Sequence, residues 1–332
     1  MKRLDEIHSY ACLALKLDDP GKTAIQPLSA RGSDRVFYRL SWDERSVIVI
    51  DYDPARIENT YYADIARFLK NMRIPVPEVL THDPGKTFMI LEDLGDCDLD
   101  SFSGHAWPQR RPLYQKALSS IRRLHAIAPQ NVPDTLTVME GFTPDLYLFE
   151  HNYFIDYFVK GYCDIVPEPS FEANLRSELA GFAQRLDTVE KCFIHRDLQS
   201  QNIMIHNGDP YFIDFQGMRL GNPFYDLGSL LCDPYTSIRP DDREELLSFY
   251  YVLSSQEIDW DLFQSNFWGA SVQRLMQALG AYGFLGKVKK LGTFLEYIPS
   301  GLDNLYLATS HVPSLTVLKD LIILCKFRVE NG

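Results

Sequence analysis

The sequence has no C-x-x-C pair and no metal-ligand spacing among its six cysteines (Cys12, Cys97, Cys163, Cys192, Cys232, Cys325). That argues against a zinc site or a disulfide framework and for reduced, buried, inert thiols. It also lacks long hydrophobic runs: stretches such as Leu321 to Cys325 are far below the roughly 20 residues that span a bilayer. The basic start MKRLDEIHSYACLALKL has a short apolar stretch broken by Lys16 and no small-residue cleavage site, so it does not read as a signal peptide. Positive charge is scarce as well. Lys plus Arg number 33 against 45 Asp plus Glu, a formal net charge of −12, which disfavours nucleic acid or anionic lipid as partners. Internal repeats and low-complexity tracts are missing too. A cytoplasmic protein is expected, with no nucleic-acid or membrane partner and an oligomeric state left open.

What is present is an ordinary globular composition, 45% hydrophobic over 332 residues, enough for one large or two intimately packed domains with a cleft between them. Leu4, Ile7, Ala11 and Ala14 follow helical spacing, stopped by Asp18-Asp19-Pro20-Gly21. The period then shortens, and Ile25 to Leu28, Val36 to Leu40 and Ser46 to Ile50 read as strands. Ile57, Tyr61, Ile65, Phe68, Leu69 and Met72 make a helical face ended by Pro75 and Pro77. Two further strands, Glu78 to His82 and Thr87 to Glu92, flank the turn Asp83-Pro84-Gly85-Lys86.

After Leu94-Gly95 the pattern is mostly helical, with Leu113, Ala117, Ile121 and Leu124 on one face and Leu175, Leu179, Phe182 and Leu186 on another. One hairpin interrupts it, Ile203 to His206 and Tyr211 to Phe215 around Asn207-Gly208. The fold class expected is α+β: an N-terminal antiparallel sheet plus helix over residues 1–95, and a mainly helical C-terminal part over 96–332 that carries the hairpin. Glu92 to Asp98 reads as the hinge between them.

The chemistry concentrates in His195-Arg196-Asp197-Leu198-Gln199-Ser200-Gln201-Asn202 and, twelve residues on, Asp214 within Phe212-Ile213-Asp214-Phe215. This matches the H-R-D-x-x-x-x-N plus D-F pattern of kinase-type phosphoryl transfer. That reaction needs one carboxylate to receive a hydroxyl proton and hard oxygen ligands to hold magnesium against nucleotide phosphates. Asp197 suits the first task, Asn202 and Asp214 the second. The plainer alternative is that Asp197 and Asn202 merely cap a turn. His195 reads as loop support rather than a proton carrier. Asp226 either braces the catalytic loop or favours the N-terminus of its own helix, and both can hold. Only eleven residues separate Asp214 from Asp226, with no A-P-E sequence, so a peptide-binding activation segment has no room.

On these residues the chain resembles the aminoglycoside phosphotransferase and choline kinase superfamily, whose fold is protein-kinase-like and bilobal, over essentially its whole length. Gly32-Ser33-Asp34-Arg35-Val36-Phe37-Tyr38-Arg39-Leu40, Leu91-Glu92-Asp93-Leu94-Gly95 and Gln273 to Gly280 are most similar to the anomeric N-acetylmuramate/N-acetylglucosamine kinases of cell-wall recycling. The resemblance implies ATP and Mg2+ as cofactors and a small-molecule hydroxyl, an amino sugar, as acceptor. It implies that the turn 30–35 covers the phosphates, with Gly32, the Ser33 hydroxyl and Arg35 as contacts, and that the Glu92 carbonyl and Leu94 amide face the adenine edge. A solvated hairpin turn is the alternative for Ser33 to Arg35.

The third strand, Ser46 to Asp51, departs from the kinase pattern by lacking its usual Lys. Arg35, Arg39 or a metal then supplies the charge, or the protein is a catalytically silent nucleotide binder. Glu58, without that Lys, reads as an exposed helix-start residue. In the acceptor region, Tyr153, Phe154 and Tyr157 read as core, and Arg274 as an acceptor contact or a surface ion pair. Aminoglycoside and choline acceptors stay open, because an acidic chain can attract a cation.

Overall fold

The computed structural model describes residues 2–28, 35–255 and 257–331. The expected phosphate turn, with Gly32 and Ser33, lies outside the described residues except for Arg35. A helix α1 (Lys2–Ala14) leads into strands β1 (Thr23–Leu28), β2 (Val36–Trp42) and β3 (Arg45–Asp51), helix α2 (Ile57–Asn71), and strands β4 (Val79–Asp83) and β5 (Phe88–Glu92). The strands form one antiparallel sheet in the order β1-β2-β3-β5-β4, with Val47 opposite Glu92 and Val36 opposite Asp51.

Strand periodicity explains what covers each face. Val47 and Val49 of β3 and Phe88 and Ile90 of β5 pack with Ile7 and Ala11 of α1. The intervening Ile50, Met89 and Leu91 join the larger core with α2. Helix α2 stops at Asn71 because Arg73 turns left-handed (φ 59°), before the prolines named from the sequence are reached.

The rest is mainly helical: α3 (Trp107–His125), α4 (Pro144–Tyr153), α5 (Pro169–Asp187), α6 (Pro223–Leu231), α7 (Pro240–Ser254), α8 (Trp260–Gly283), α9 (Ile298–Ser310) and α10 (Thr316–Asn331). Short strands β6 (Cys192–Ile194) and β9 (Arg219–Gly221) pair with each other, and β7 (Ile203–His206) pairs with β8 (Asp209–Phe212). Asn207 and Gly208, both at positive φ, make the tight turn between β7 and β8. The second hairpin strand is offset from the expected Tyr211 to Phe215. It starts at Asp209 and ends at Phe212, because Asp214 adopts a left-handed conformation (φ 64°, ψ 30°) and Phe215–Gly217 form a 3-10 turn.

Helices α6 and α8 cross closely at Gly228, where an added Cβ would stand 2.8 Å from the Ser271 Cα. This brings Ser229 of α6 beside Arg274 of α8. All six cysteines are free, with Cys97 exposed and Cys192 half-buried rather than buried as expected. Among the described residues no helix is long and apolar enough to cross a membrane.

Candidate active site

The segment after β6 turns sharply at Arg196, whose φ of 76° is a left-handed conformation costing a non-glycine residue roughly 1–2 kcal/mol. The buried Asp226 carboxylate holds that turn. It accepts the His195 amide at 2.7 Å and the Arg196 amide at 2.9 Å, and His125 Nε2 approaches it at 3.0 Å. The His195 ring is committed as well: Nδ1 accepts the Asp197 amide at 3.3 Å, so Nε2 carries the proton and donates to the Ile213 carbonyl at 3.0 Å.

Asp197 is held from two sides. Its Oδ1 accepts from Arg274 Nη2 at 2.5 Å and its Oδ2 from Asn202 Nδ2 at 3.2 Å. Arg274, read from the sequence as an acceptor contact or a surface ion pair, is buried, and it also bonds Ser229 Oγ at 3.0 Å and Gln199 at 3.2 Å. Burial works most strongly against its charge, but Asp197 together with Tyr225, Tyr282 and Glu150 outweighs it and raises its pKa.

Asp214 faces the same place from the end of the β7–β8 hairpin. Its Oδ1 accepts from Arg35 and, at 3.0 Å, from Gln216 Nε2. Burial alone would raise its pKa; the Arg35 guanidinium overrides that and holds the carboxyl below the usual range. Asn202 Oδ1 and Asp214 Oδ2 accept no hydrogen bond from the described residues. Two hard oxygens in this position fit a magnesium ion whose other ligands are phosphate and water. Among the described residues there is no group of three His, Cys, Asp or Glu that would form an all-protein metal site.

Two cavities meet along this edge, sharing Arg35, Gln201, Asn202 and Asp214. One, of about 390 Å³, is walled by Phe37, Ile48 and Leu91 of the sheet and by Glu92 and Leu94. The other, of about 530 Å³, is lined mainly by the helical part, with Arg35, Arg56, Glu58 and Asn59 on the sheet side, and contains Asp197 and Arg274. The missing third-strand Lys has no replacement in Arg39, which binds Asp93 at 2.6 Å and Asp96 at 2.8 Å and so ties β2 to the segment after β5. Arg35 is the cation that the described residues place on the shared edge. Glu58 is half-buried beside the larger cavity and paired with Arg56 at 3.2 Å, not exposed as expected.

Several residues here carry no linear signature. Asp233, just past α6, accepts the Ser200 amide at 2.7 Å and the Tyr235 amide at 3.0 Å from beneath the catalytic loop, and burial pushes it up to about 6. Glu150, Arg196, Arg219 and Tyr153 line the larger cavity. Of the aromatic trio expected in the core, Phe154 is buried there, whereas Tyr153 reaches the cavity and Tyr157 stands edge-on to it at 4.8 Å.

A five-stranded sheet followed by a mainly helical part, with a carboxylate loop and a second carboxylate at their junction, defines the kinase-type phosphotransferase class. The chain belongs to the phosphotransferase enzyme family (APH), whose description matches residues 24–261. It is 24% identical over 309 residues to the N-acetylmuramate/N-acetylglucosamine kinase of Pseudomonas aeruginosa, covering 89% of this chain and 87% of that one. It is 26% identical over 318 residues to the protein of the same name from Caulobacter vibrioides, covering 84% and 86%.

Among solved structures, a choline/ethanolamine kinase family protein from Mesorhizobium loti superposes with a TM-score of 0.64 at 14% identity, covering 98% of this chain and 99% of that one. The ADP-bound aminoglycoside phosphotransferase APH(2'')-Ib gives 0.61 at 14%, covering 96% and 98%. These likenesses establish the protein-kinase-like fold. The protein is therefore a phosphotransferase acting on a hydroxyl, with ATP as phosphate donor.

Proposed function

We propose that the protein transfers the γ-phosphoryl group of ATP to the anomeric hydroxyl of an amino sugar of the N-acetylmuramate or N-acetylglucosamine type. The observation that carries this reading is the convergence of Asp197, Asn202 and Asp214 where the two cavities join, one apolar and sheet-walled, the other polar and lined mainly by the helical part. The names of the similar kinases supply the acceptor class.

In this reading the adenine lies against the adjacent Ile48 and Leu91 side chains, its edge towards the Glu92 carbonyl and the Leu94 amide. Gly32, Ser33 and Arg35 attend the phosphates. Asn202 and Asp214 hold Mg2+, which neutralises phosphate charge when bound. Asp197 is the general base: its oxygens already bond Arg274 and Asn202, and a carboxylate retains further lone pairs for a sugar hydroxyl. As the hydroxyl oxygen bonds to the γ-phosphorus, its proton passes to Asp197, the bond to the β,γ-bridging oxygen breaks, and ADP leaves. Arg274 positions Asp197, while His195, Asp226 and Asp233 brace the loop. Residues 1–95 act as the nucleotide lobe and 96–332 as the acceptor lobe, closing about Glu92 to Asp98 to exclude water. Free thiols suit a cytoplasmic setting.

The test is magnesium-dependent ADP release over a panel of amino sugars, aminoglycosides and amino alcohols. Turnover confined to amino sugars is expected. Turnover with choline or aminoglycosides alone contradicts the acceptor assignment, and none with any acceptor favours a silent nucleotide binder.

A further inference from the structure

The larger cavity carries more positive charge than its chemistry so far accounts for. Arg219 projects from β9 into its wall and is only 8% exposed. Its Nε donates to the Gly217 carbonyl at 2.9 Å and its guanidinium lies 5.6 Å from the Phe142 ring centroid. No carboxylate among the described residues lies within ion-pair distance of it. Arg196 stands close by, with Nη2 3.4 Å from Glu150 Oε1 and a buried Nε that has no partner.

Glu150 is already shared, accepting from Tyr225 Oη at 3.2 Å and from Gln273 Nε2 at 3.0 Å. Two guanidinium groups therefore face one carboxylate that is itself engaged. Burial first, and the neighbouring Arg196 second, pull the Arg219 pKa below the ordinary arginine value. Leaving a buried charge unpaired is costly, and a planar guanidinium with free N–H donors is suited to bind a carboxylate or phosphate.

The location separates those two anions. Arg35, Asn202 and Asp214 border both cavities, where the phosphates of ATP would reach the acceptor, whereas Arg196 and Arg219 border only the larger one. We propose that Arg219, assisted by Arg196, forms a subsite for a carboxylate carried by the acceptor and thereby sets a preference for an acidic amino sugar over a neutral one. This rests on the acceptor reading above and extends it to a residue that selects the substrate.

The experiment compares N-acetylmuramate, which carries a carboxylate, with N-acetylglucosamine, which does not, in the wild type, Arg219→Gln and Arg219→Lys. Each protein is followed by steady-state kinetics and by calorimetric titration of both sugars. The ratio of kcat/KM for the acidic over the neutral sugar should fall by roughly 10- to 100-fold in R219Q, the usual worth of a charge-assisted contact, and recover in part in R219K. A general folding defect lowers both sugars together and leaves that ratio alone.

An unchanged ratio, whether both sugars keep their turnover or lose it equally, overturns the subsite and leaves the proposed function standing. Arg219-dependent binding of N-acetylmuramate without product overturns the proposed function and leaves the subsite standing. Neither binding nor product overturns both.

Discussion

Asp197, the base in the proposed reaction, is aimed by groups that come from afar: Asn202 from five residues on and Arg274 from α8. Its replacement by Ala should lower kcat by roughly 10²–10⁴, the range for losing general-base catalysis, while ATP affinity measured by calorimetry stays near wild type. A turnover unchanged within twofold would take Asp197 out of that role. Asp214→Ala should instead abolish magnesium-dependent tightening of nucleotide binding, read as the difference between titrations with and without the ion; a difference that persists contradicts its assignment.

Asp233 gives a stability test with a definite sign. Its folded pKa, raised to about 6 by burial, exceeds that of an unfolded aspartate near 3.9, so the native state retains the proton longer. Its contribution is therefore full at low pH and is lost as pH rises from about 4 to about 6, no more steeply than about 1.4 kcal/mol per pH unit. Asp233→Asn removes that term. Its stability relative to wild type, from denaturant melts, should improve between pH 4.5 and pH 7, and parallel pH profiles would contradict the account.

Asp197, Asn202 and Asp214, the three residues proposed for the site, stand out in the sequence because they lie in one linear pattern with fixed offsets. The sequence singles out Arg274 but not its bond to Asp197, and it singles out neither Asp233 nor Arg219, because those contacts depend on which helices and strands meet.

At the level of elements, α6 and α8 form the frame, since α6 carries Asp226 under the loop and α8 carries Arg274 onto Asp197. Their approach depends on Gly228, against which the Ser271 backbone lies too close for a side chain. Gly228→Ala should destabilise the fold by about 1–3 kcal/mol, as overpacking of a tight contact does, and lower kcat by disturbing both carboxylates. A variant of wild-type stability by chemical denaturation would mean that the helices part without cost.

The sheet strands and the amphipathic faces of α2, α3 and α5 were readable from their periods, because each buries one side. The strand ending at Phe212 was misjudged to run through Phe215, since an apolar run gives no warning of a left-handed Asp214. Helix α2 likewise ends on the local conformation at Arg73 rather than at Pro75. In both places backbone geometry wins over side-chain pattern.

Over the whole molecule, charge is misleading unless it is located. The net charge of −12 leaves a cationic acceptor open, but the larger cavity gathers Arg196, Arg219, Arg274 and Lys289, with Asp197 and Glu150 already hydrogen-bonded. The acidic excess lies elsewhere, as in the exposed first turn of α7 at Asp241. The division into a sheet and a helical part was visible in the switch of period after Leu94-Gly95. The cavity that the helical part mainly lines was not, because its walls come from α4, β9 and α8 at once.

The central claim is that the γ-phosphoryl group of ATP passes to the anomeric oxygen of an amino sugar while Asp197 takes the proton of that hydroxyl. Phosphorus NMR of the product formed from ATP, Mg2+ and N-acetylmuramate or N-acetylglucosamine reads this directly. The account predicts an acid-labile phosphate coupled to the anomeric proton, formed by wild type and nearly lost in Asp197→Ala. A phosphate on a primary or ring hydroxyl, or inorganic phosphate alone, would contradict it.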